Sequence, residues 1–507
     1  MASQESANIA VAVPTSKTTQ HLRWYICGLL FLVTMINYID RQTMGALNPI
    51  LKNAKTGIGW DDGGYGWITF AFSLGYALMF GISGSLLDRF GVKIGMTWAV
   101  VVWSLAAIGH SFARSVLGFV IARFCLGLGE AANFPGCIKA VAEWFPRRER
   151  ALATGIFNSG TNVGVLFAPA IVWLAQTYGW RFAFILTGSL GFLWLILWQV
   201  FYKAPETHPA LGEKEREVIL SDQELSGGSA RIPWTTLLRY RQVWAFLVGK
   251  LLTDAIWVFY LYWLPTYLVK ERGVTPLLAT MLTWYPYIAA DFGSVGGGWL
   301  SGFLITRGWA VGRARLLAMA IFAFCMPGAI WAVLTSDLVV AISLISLATA
   351  AHQAWSANLF TIVSDMFPKK VVGSVVGLGG IGGALGGMFM NLLTGGVLAH
   401  THNYVPLFLI AGLMHPTALF LIMAFVGRDF KRADVDTGAG AAPSRNLTLA
   451  GTAVVAVGLA LVGLVAANWK LLTTKSVHPA WQGLTASVGI ALLGLALLYA
   501  SRGRREG

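Results

Sequence analysis

The chain has 507 residues, is 56% hydrophobic and only 12% charged, and has a mean hydropathy of +0.65. Its apolar runs recur at about 20 residues, the length that crosses a hydrocarbon layer, so an ordinary soluble protein is excluded and an all-α polytopic membrane protein is expected. The formal charge of +14 would suggest nucleic acid in a soluble chain; here its distribution along loops carries the information, and it is read as topology.

In chain order, residues 1–21 form a polar tail without a basic stretch followed by a cleavable apolar core, so the first span itself is expected to direct insertion. Six spans follow near 24–46, 66–87, 94–112, 116–144, 150–175 and 181–202, making a first six-helix bundle over 22–202. A charged stretch, 203–242, is too polar to cross and joins it to a second bundle over 243–427. The spans of that bundle lie near 243–269, 277–306, 313–335, 338–366, 371–399 and 404–427. A Gly/Ala/Pro-containing linker, 428–446, leads to two further apolar runs within 447–501, expected as an accessory hairpin, and to a tail at 502–507. This makes two six-helix bundles plus a C-terminal two-helix extension, fourteen spans in all.

Counting Lys and Arg on alternate loops places about 25 of the 37 on one side and about 8 on the other. The basic side is cytoplasmic by the positive-inside rule, so both termini and the central loop are expected there. Phe145-Pro146-Arg147-Arg148 with Gly155, Gly160 and Gly164 matches Phe367-Pro368-Lys369-Lys370 with Gly377, Gly382 and Gly386 at one constant offset. Duplicated halves suit a carrier that rocks around a midplane site. Chance alignment of glycine-rich helices competes, but the shared basic Phe-Pro turn argues against it.

Two spans of the first half carry acid and base together near their middles. Asn37-Tyr38-Ile-Asp40-Arg41 lies in the first and Arg123-Phe-Cys-Leu-Gly-Leu-Gly-Glu130 in the fourth. A charge at the bilayer centre costs roughly 3 kcal/mol on insertion scales, so these side chains must face protein or a polar cavity. They suggest an anion site next to a proton site. A guanidinium can engage a carboxylate through two parallel hydrogen bonds, and a tyrosine can reach a hydroxyl. A static salt bridge from Arg41 or Arg123 to Asp40 or Glu130 is the competing reading.

The loop Gly84-Ser-Leu-Leu-Asp88-Arg89-Phe-Gly91-Val-Lys93 resembles the signature of the major facilitator superfamily, and Gly298-Trp-Leu-Ser-Gly302 with Arg307-Gly308 resembles its second-half counterpart. Asn37 to Arg41, Arg123 to Pro135, Glu143-Trp-Phe-Pro146, Phe157-Asn-Ser-Gly-Thr-Asn-Val-Gly164, Trp257-Val-Phe-Tyr-Leu-Tyr-Trp-Leu-Pro265 and Ala351-His-Gln-Ala-Trp-Ser356 narrow the resemblance to the anion:cation symporters, and within them to bacterial hexuronate transporters. The resemblance covers about 22–427. It implies a twelve-helix core in the bacterial cytoplasmic membrane, working as a monomeric transport unit that takes up a glucuronate- or galacturonate-like anion with protons. It makes Asp40 and Glu130 the proton-titrating pair, Arg41 and Arg123 the anchors of the substrate carboxylate, and Tyr76, with Tyr38 beside the charged residues, part of the substrate site. Asp88 and Arg89 become a conformational switch; a solvated turn is the alternative for both.

Further candidates for substrate contact are Asn158, Thr161 and Asn162 on the fifth span, Tyr260 on the seventh, and His352, Gln353, Trp355 and Ser356 on the tenth. Hydroxyl recognition at the asparagines competes with helix-to-helix hydrogen bonding, and His352 reads equally as ligand or packing residue. Asp254 and Asp291 are expected as pairing partners, Lys250 among their options. The glycine runs at 293–298 and 377–387 lack the Gly-Lys-Ser/Thr ending of a phosphate cradle, and no nucleotide-hydrolysing segment is evident, so transport is expected to be secondary, without cofactor or metal. The cysteines Cys27, Cys125, Cys137 and Cys325 read as packing residues. Other organic anions (aldonates, glucarate, small aromatic acids) and exchange are the rival transport readings. A membrane enzyme or sensor is disfavoured because no paired histidines, HExxH or nucleophile elbow is evident.

Overall fold

In a bilayer every backbone polar group must be satisfied within the chain, so each long apolar run closes as a helix. The computed structural model describes residues 21–55, 57–60, 62–220, 232–427, 430, 432, 433 and 435. The expected hairpin at 447–501 lies outside the described residues. Among them, twelve helices are long and apolar enough to cross a membrane. They are α1 (Leu22–Lys52), α2 (Gly64–Phe90), α3 (Val92–Phe112), α4 (Val116–Trp144), α5 (Arg147–Tyr178), α6 (Trp180–Phe201), α7 (Arg241–Arg272), α8 (Trp284–Thr306), α9 (Val311–Leu334), α10 (Leu338–Met366), α11 (Lys369–Leu398) and α12 (Val405–Val426).

Several differ in detail from the expected spans, and proline supplies the reason. In α4 a turn at Ala131 and Ala132 separates Val116–Glu130 from Asn133–Trp144. Pro135 has no N–H to give and its ring crowds the carbonyl four residues back, so the helix breaks just before it. The break leaves Glu130 as the last residue of the first segment. Pro169 and Pro327 accompany similar interruptions in α5 and α9. The span expected from 277 is divided into Pro276–Leu282 and α8.

The duplication is visible in the backbone. Phe145 and Pro146 have φ/ψ of −120°/136° and −64°/154°, while Phe367 and Pro368 have −120°/148° and −66°/149°. The same extended turn therefore starts α5 and α11, with Pro fixing φ at the helix entrance in each half. The central stretch is more than a tether. Its short helix Glu213–Leu220 carries Glu215, whose carboxylate accepts the backbone N–H groups of Leu22 and Arg23 at 2.9 and 3.2 Å and pairs with the Arg23 guanidinium at 2.7 Å. An acid at that position complements the exposed amides and positive end of α1.

The halves meet mainly through α2 against α11 and α5 against α8, with α4 and α5 also touching α10 and α11. A side chain at Gly84 would run into the backbone of Gly373, and one at Gly155 into that of Ser294. These crossings admit only glycine. Phe134 of α4 stacks on Phe360 of α10 at 5.3 Å between ring centres, with Phe157 and Phe246 against their edges. The aromatic cluster closes the space between the halves below the polar residues described next. Both crossings and the aromatic cluster lie toward the ends of the spans that bear the basic loops, whereas α1 and α7 make no comparable pairing.

Candidate functional site

Counted from those basic ends at 1.5 Å per residue, Tyr76, Glu130, Asn158, Asn162, Asp254, Trp257, Asp291 and His352 all lie roughly 16–25 Å along their helices, near the middle of a hydrocarbon layer about 30 Å thick. The polar residues thus form one band across both halves.

On the first half, Arg41 directs Nη2 and Nε at a single oxygen of Glu130, Oε2, at 3.0 and 3.1 Å. Its guanidinium lies 4.6, 4.8 and 5.1 Å from the ring centres of Tyr38, Tyr76 and Phe72, a cage that suits a cation by the charge distribution of the ring faces. Arg41 remains 21% exposed while Glu130 is fully enclosed, and Glu130 Oε1 is buried without a hydrogen-bond partner. Arg123 donates from Nη2 to the carbonyl of Arg41 at 3.0 Å and lies over Phe72; its Nε has no partner. Among the described residues no carboxylate lies within ion-pair distance of Arg123. One arginine is therefore already matched to a carboxylate and the other is not.

Asp40 stands apart from this arrangement. Successive helical residues point about 100° apart, so Arg41 faces α4 while Asp40 turns toward Thr187 of α6, buried and with both oxygens lacking a hydrogen-bond partner. Asp40 and Glu130, expected to titrate as a pair, make no direct contact, but Glu130 is the charge that acts most strongly on Asp40.

On the second half, the ring of Trp257 stacks on His352 at 5.2 Å and 9°, and His352 Nδ1 is hydrogen-bonded to His415 Nε2 at 3.0 Å. The chain does pair two histidines, then, and His415 was missed because nothing local marks a lone histidine in α12. Trp355 packs edge-on against His415, fully buried, and Ser356 is buried beside it. Tyr260, expected at the substrate, packs against Phe259 and Phe408 with its hydroxyl buried and without a hydrogen-bond partner. Tyr262, exposed, is instead the α7 tyrosine within electrostatic range of Arg123 and Tyr38.

Helix-to-helix hydrogen bonding takes the asparagines. Asn158 Nδ2 donates to Gln353 Oε1 at 2.7 Å and Ser294 Oγ at 3.0 Å, and Asn162 Nδ2 donates to Asp291 Oδ1 at 2.8 Å, all across the two halves. Thr161 Oγ1 between them is buried without a partner. Lys250 pairs with Asp254 at 2.6 Å as expected, whereas Asp291 has Asn162 rather than a lysine.

At the basic ends, Asp88 binds Lys139 at 2.7 Å and accepts from Gly373 N, Ser374 N and Ser374 Oγ at 3.1, 2.7 and 2.7 Å. Arg89, expected to switch together with Asp88, is exposed and lies over Phe90, and the cation paired with Asp88 is the buried Lys139 of α4. Arg150 and Arg315, near the basic ends of α5 and α9, are buried on Asp365. Arg315 Nε reaches it at 3.0 Å, while its Nη1 donates to Ser301 Oγ and its Nη2 to the Arg147 carbonyl, and Arg150 lies at 3.6 Å from Asp365 and bonds the Ser364 carbonyl. Among the described residues no cluster of His, Cys, Asp and Glu is suited to a metal ion.

Residues 30–391 match the model of the Major Facilitator Superfamily. The chain belongs to this superfamily. It is 33% identical over 393 residues to the hexuronate transporter of Escherichia coli K12, covering 76% of this chain and 90% of the relative. It is 29% identical over 461 residues to the probable galactarate/D-glucarate transporter GudP of the same organism, covering 86% of this chain and all of the relative. The solved proton:xylose symporter XylE shares the fold with a TM-score of 0.62 at 17% identity, covering 81% of this chain and 97% of that one. The chain is therefore a multi-pass membrane transporter of this superfamily, not an enzyme.

Proposed function

We propose that the protein takes up a sugar acid, a hexuronate, together with protons across the bacterial cytoplasmic membrane by alternating access. The observation that carries the reading is the asymmetry of the two arginines: Arg41 is caged and bonded to Glu130, yet still exposed, while Arg123 beside it lacks a carboxylate. A substrate carboxylate placed between them supplies that missing partner through bidentate bonds and competes with Glu130 for Arg41. Glu130, losing its counter-ion in an enclosed place, then holds a proton more readily. Substrate and proton bind with mutual reinforcement, the linkage a symporter needs. The relatives named for hexuronate and for galactarate/glucarate support a sugar acid as the anion. The joined basic ends correspond in this reading to a state closed toward the cytoplasm, both termini lying on that side and the twelve-helix unit acting as a monomer.

The test is transport in proteoliposomes by wild type and Glu130→Gln. Wild type accumulates labelled glucuronate under an inward pH gradient. Glu130→Gln, neutral and unable to release a proton, loses accumulation but keeps substrate-for-substrate exchange. Gradient-driven accumulation at the wild-type level in the variant would leave Glu130 as a mere counter-ion of Arg41.

A further inference from the structure

We propose that the Lys250–Asp254 pair makes the site select sugar acids with one carboxylate over those with two, Asp254 being the specificity-determining residue. The inference rests on the sugar-acid reading above. Lys250, Asp254 and Trp257 recur at helical spacing and so share one face of α7. The Lys250 ammonium meets Asp254 Oδ2 at 2.6 Å and sits 4.1 Å from the ring centre of Phe360, on the aromatic cluster that floors the space between the halves. Within the pair, the Lys250 side chain is 7% exposed and that of Asp254 26%, so the pair shows its negative end. Asp254 is within electrostatic range of Tyr76, one wall of the Arg41 cage, and Lys250 within range of His352.

The two halves therefore offer different chemistry. The first presents two arginines, one without a carboxylate. The facing surface presents a lysine masked by its neighbour, Asp291 engaged by Asn162, and an indole face stacked on a histidine that is itself bonded to His415. With its single carboxylate on the arginines, a uronate turns hydroxyls toward Asp254, which accepts hydrogen bonds from them. An aldarate in the same pose brings a second carboxylate to Asp254, where it meets like charge and, among the described residues, no free cation. Charged groups in such a band discriminate by repulsion as much as by attraction.

The test measures affinity of the purified full-length protein for glucuronate and glucarate by calorimetry at neutral pH, with Tm recorded for every variant. Wild type is expected to bind glucuronate at least tenfold more tightly. Asp254→Asn keeps the shape, removes the charge and unmasks Lys250, so the ratio falls toward one through a gain in glucarate binding. Adding Lys250→Gln to Asp254→Asn reverses that gain. Should Asp254→Asn not fold, Lys250→Gln alone asks the question in the other direction: it strips the acid of its counter-ion and the ratio must widen. Equal binding of both acids by wild type, or an unchanged ratio in the variants, overturns the inference while leaving the sugar-acid reading intact. Binding of neither acid by wild type overturns that reading and the inference with it.

Discussion

Asp88 ties the two halves together more densely than any other acid at the basic ends, and its replacement by asparagine is the sharpest perturbation of the closed state. Three of its four contacts, to Gly373 N, Ser374 N and Ser374 Oγ, cross between the halves; the fourth neutralises the buried Lys139. Asparagine keeps one acceptor oxygen but turns an N–H toward donors and removes the charge. A hydrogen bond to a charged group contributes about 1.5–3 kcal/mol, so losing one and weakening the others costs the closed state about 3 kcal/mol. At 1.4 kcal/mol per decade, that is roughly a hundredfold shift in population away from closure. The hydroxyls of Ser85 and Ser374 lie 3.4 Å apart across the same junction. Cysteines placed at both positions in a background free of other cysteines give up the Ser374 Oγ contact but leave both amide contacts to Asp88, and they read closure as disulfide yield under mild oxidation. Asp88→Asn should cut that yield by an order of magnitude or more. Cross-linking at the unmodified rate would show that the carboxylate does not hold the junction.

Two further substitutions address the site and its frame. Arg123→Lys keeps the charge but loses the fork, so glucuronate affinity should fall at least tenfold while the melting temperature stays within a few degrees, because Arg123 makes only one hydrogen bond of its own to the carbonyl of Arg41; calorimetry alongside a thermal melt checks this, and undiminished affinity would assign Arg123 to structure. His415→Ala leaves His352 Nδ1 buried without its partner and removes the face on which Trp355 packs, at a cost of about 1–3 kcal/mol for the unsatisfied group alone. The melting temperature should drop by several degrees, and a variant as stable as wild type would mean that the pair does not hold α10 to α12.

Much of the architecture follows from local sequence. Span length and hydropathy locate the twelve helices, and the Phe-Pro turn at one constant offset reveals the duplication that the backbone dihedrals repeat. Four charges inside two spans mark where the polar band must lie, because a bilayer tolerates them only against protein. The expected spans run straight through Pro135, Pro169 and Pro327, and the single run at 116–144 hides the break that sets Glu130 at a segment end.

Partner choice was not legible. That Arg41 takes Glu130 rather than a carboxylate on its own helix, that Tyr260 packs inward while Tyr262 faces Arg123, that Asn158 spends its amide on Gln353, and that Arg315 is buried rather than in a loop all depend on how helices are rotated against one another. In a soluble helix the polar stripe announces that rotation. In a membrane the lipid-facing and protein-facing sides are both apolar, so periodicity carries little of it. Close glycine contacts set that rotation, Gly160 and Gly164 against α1 and Gly127 against α2 within the first half, Gly84 against Gly373 and Gly155 against Ser294 between the halves, and so decide which charges meet.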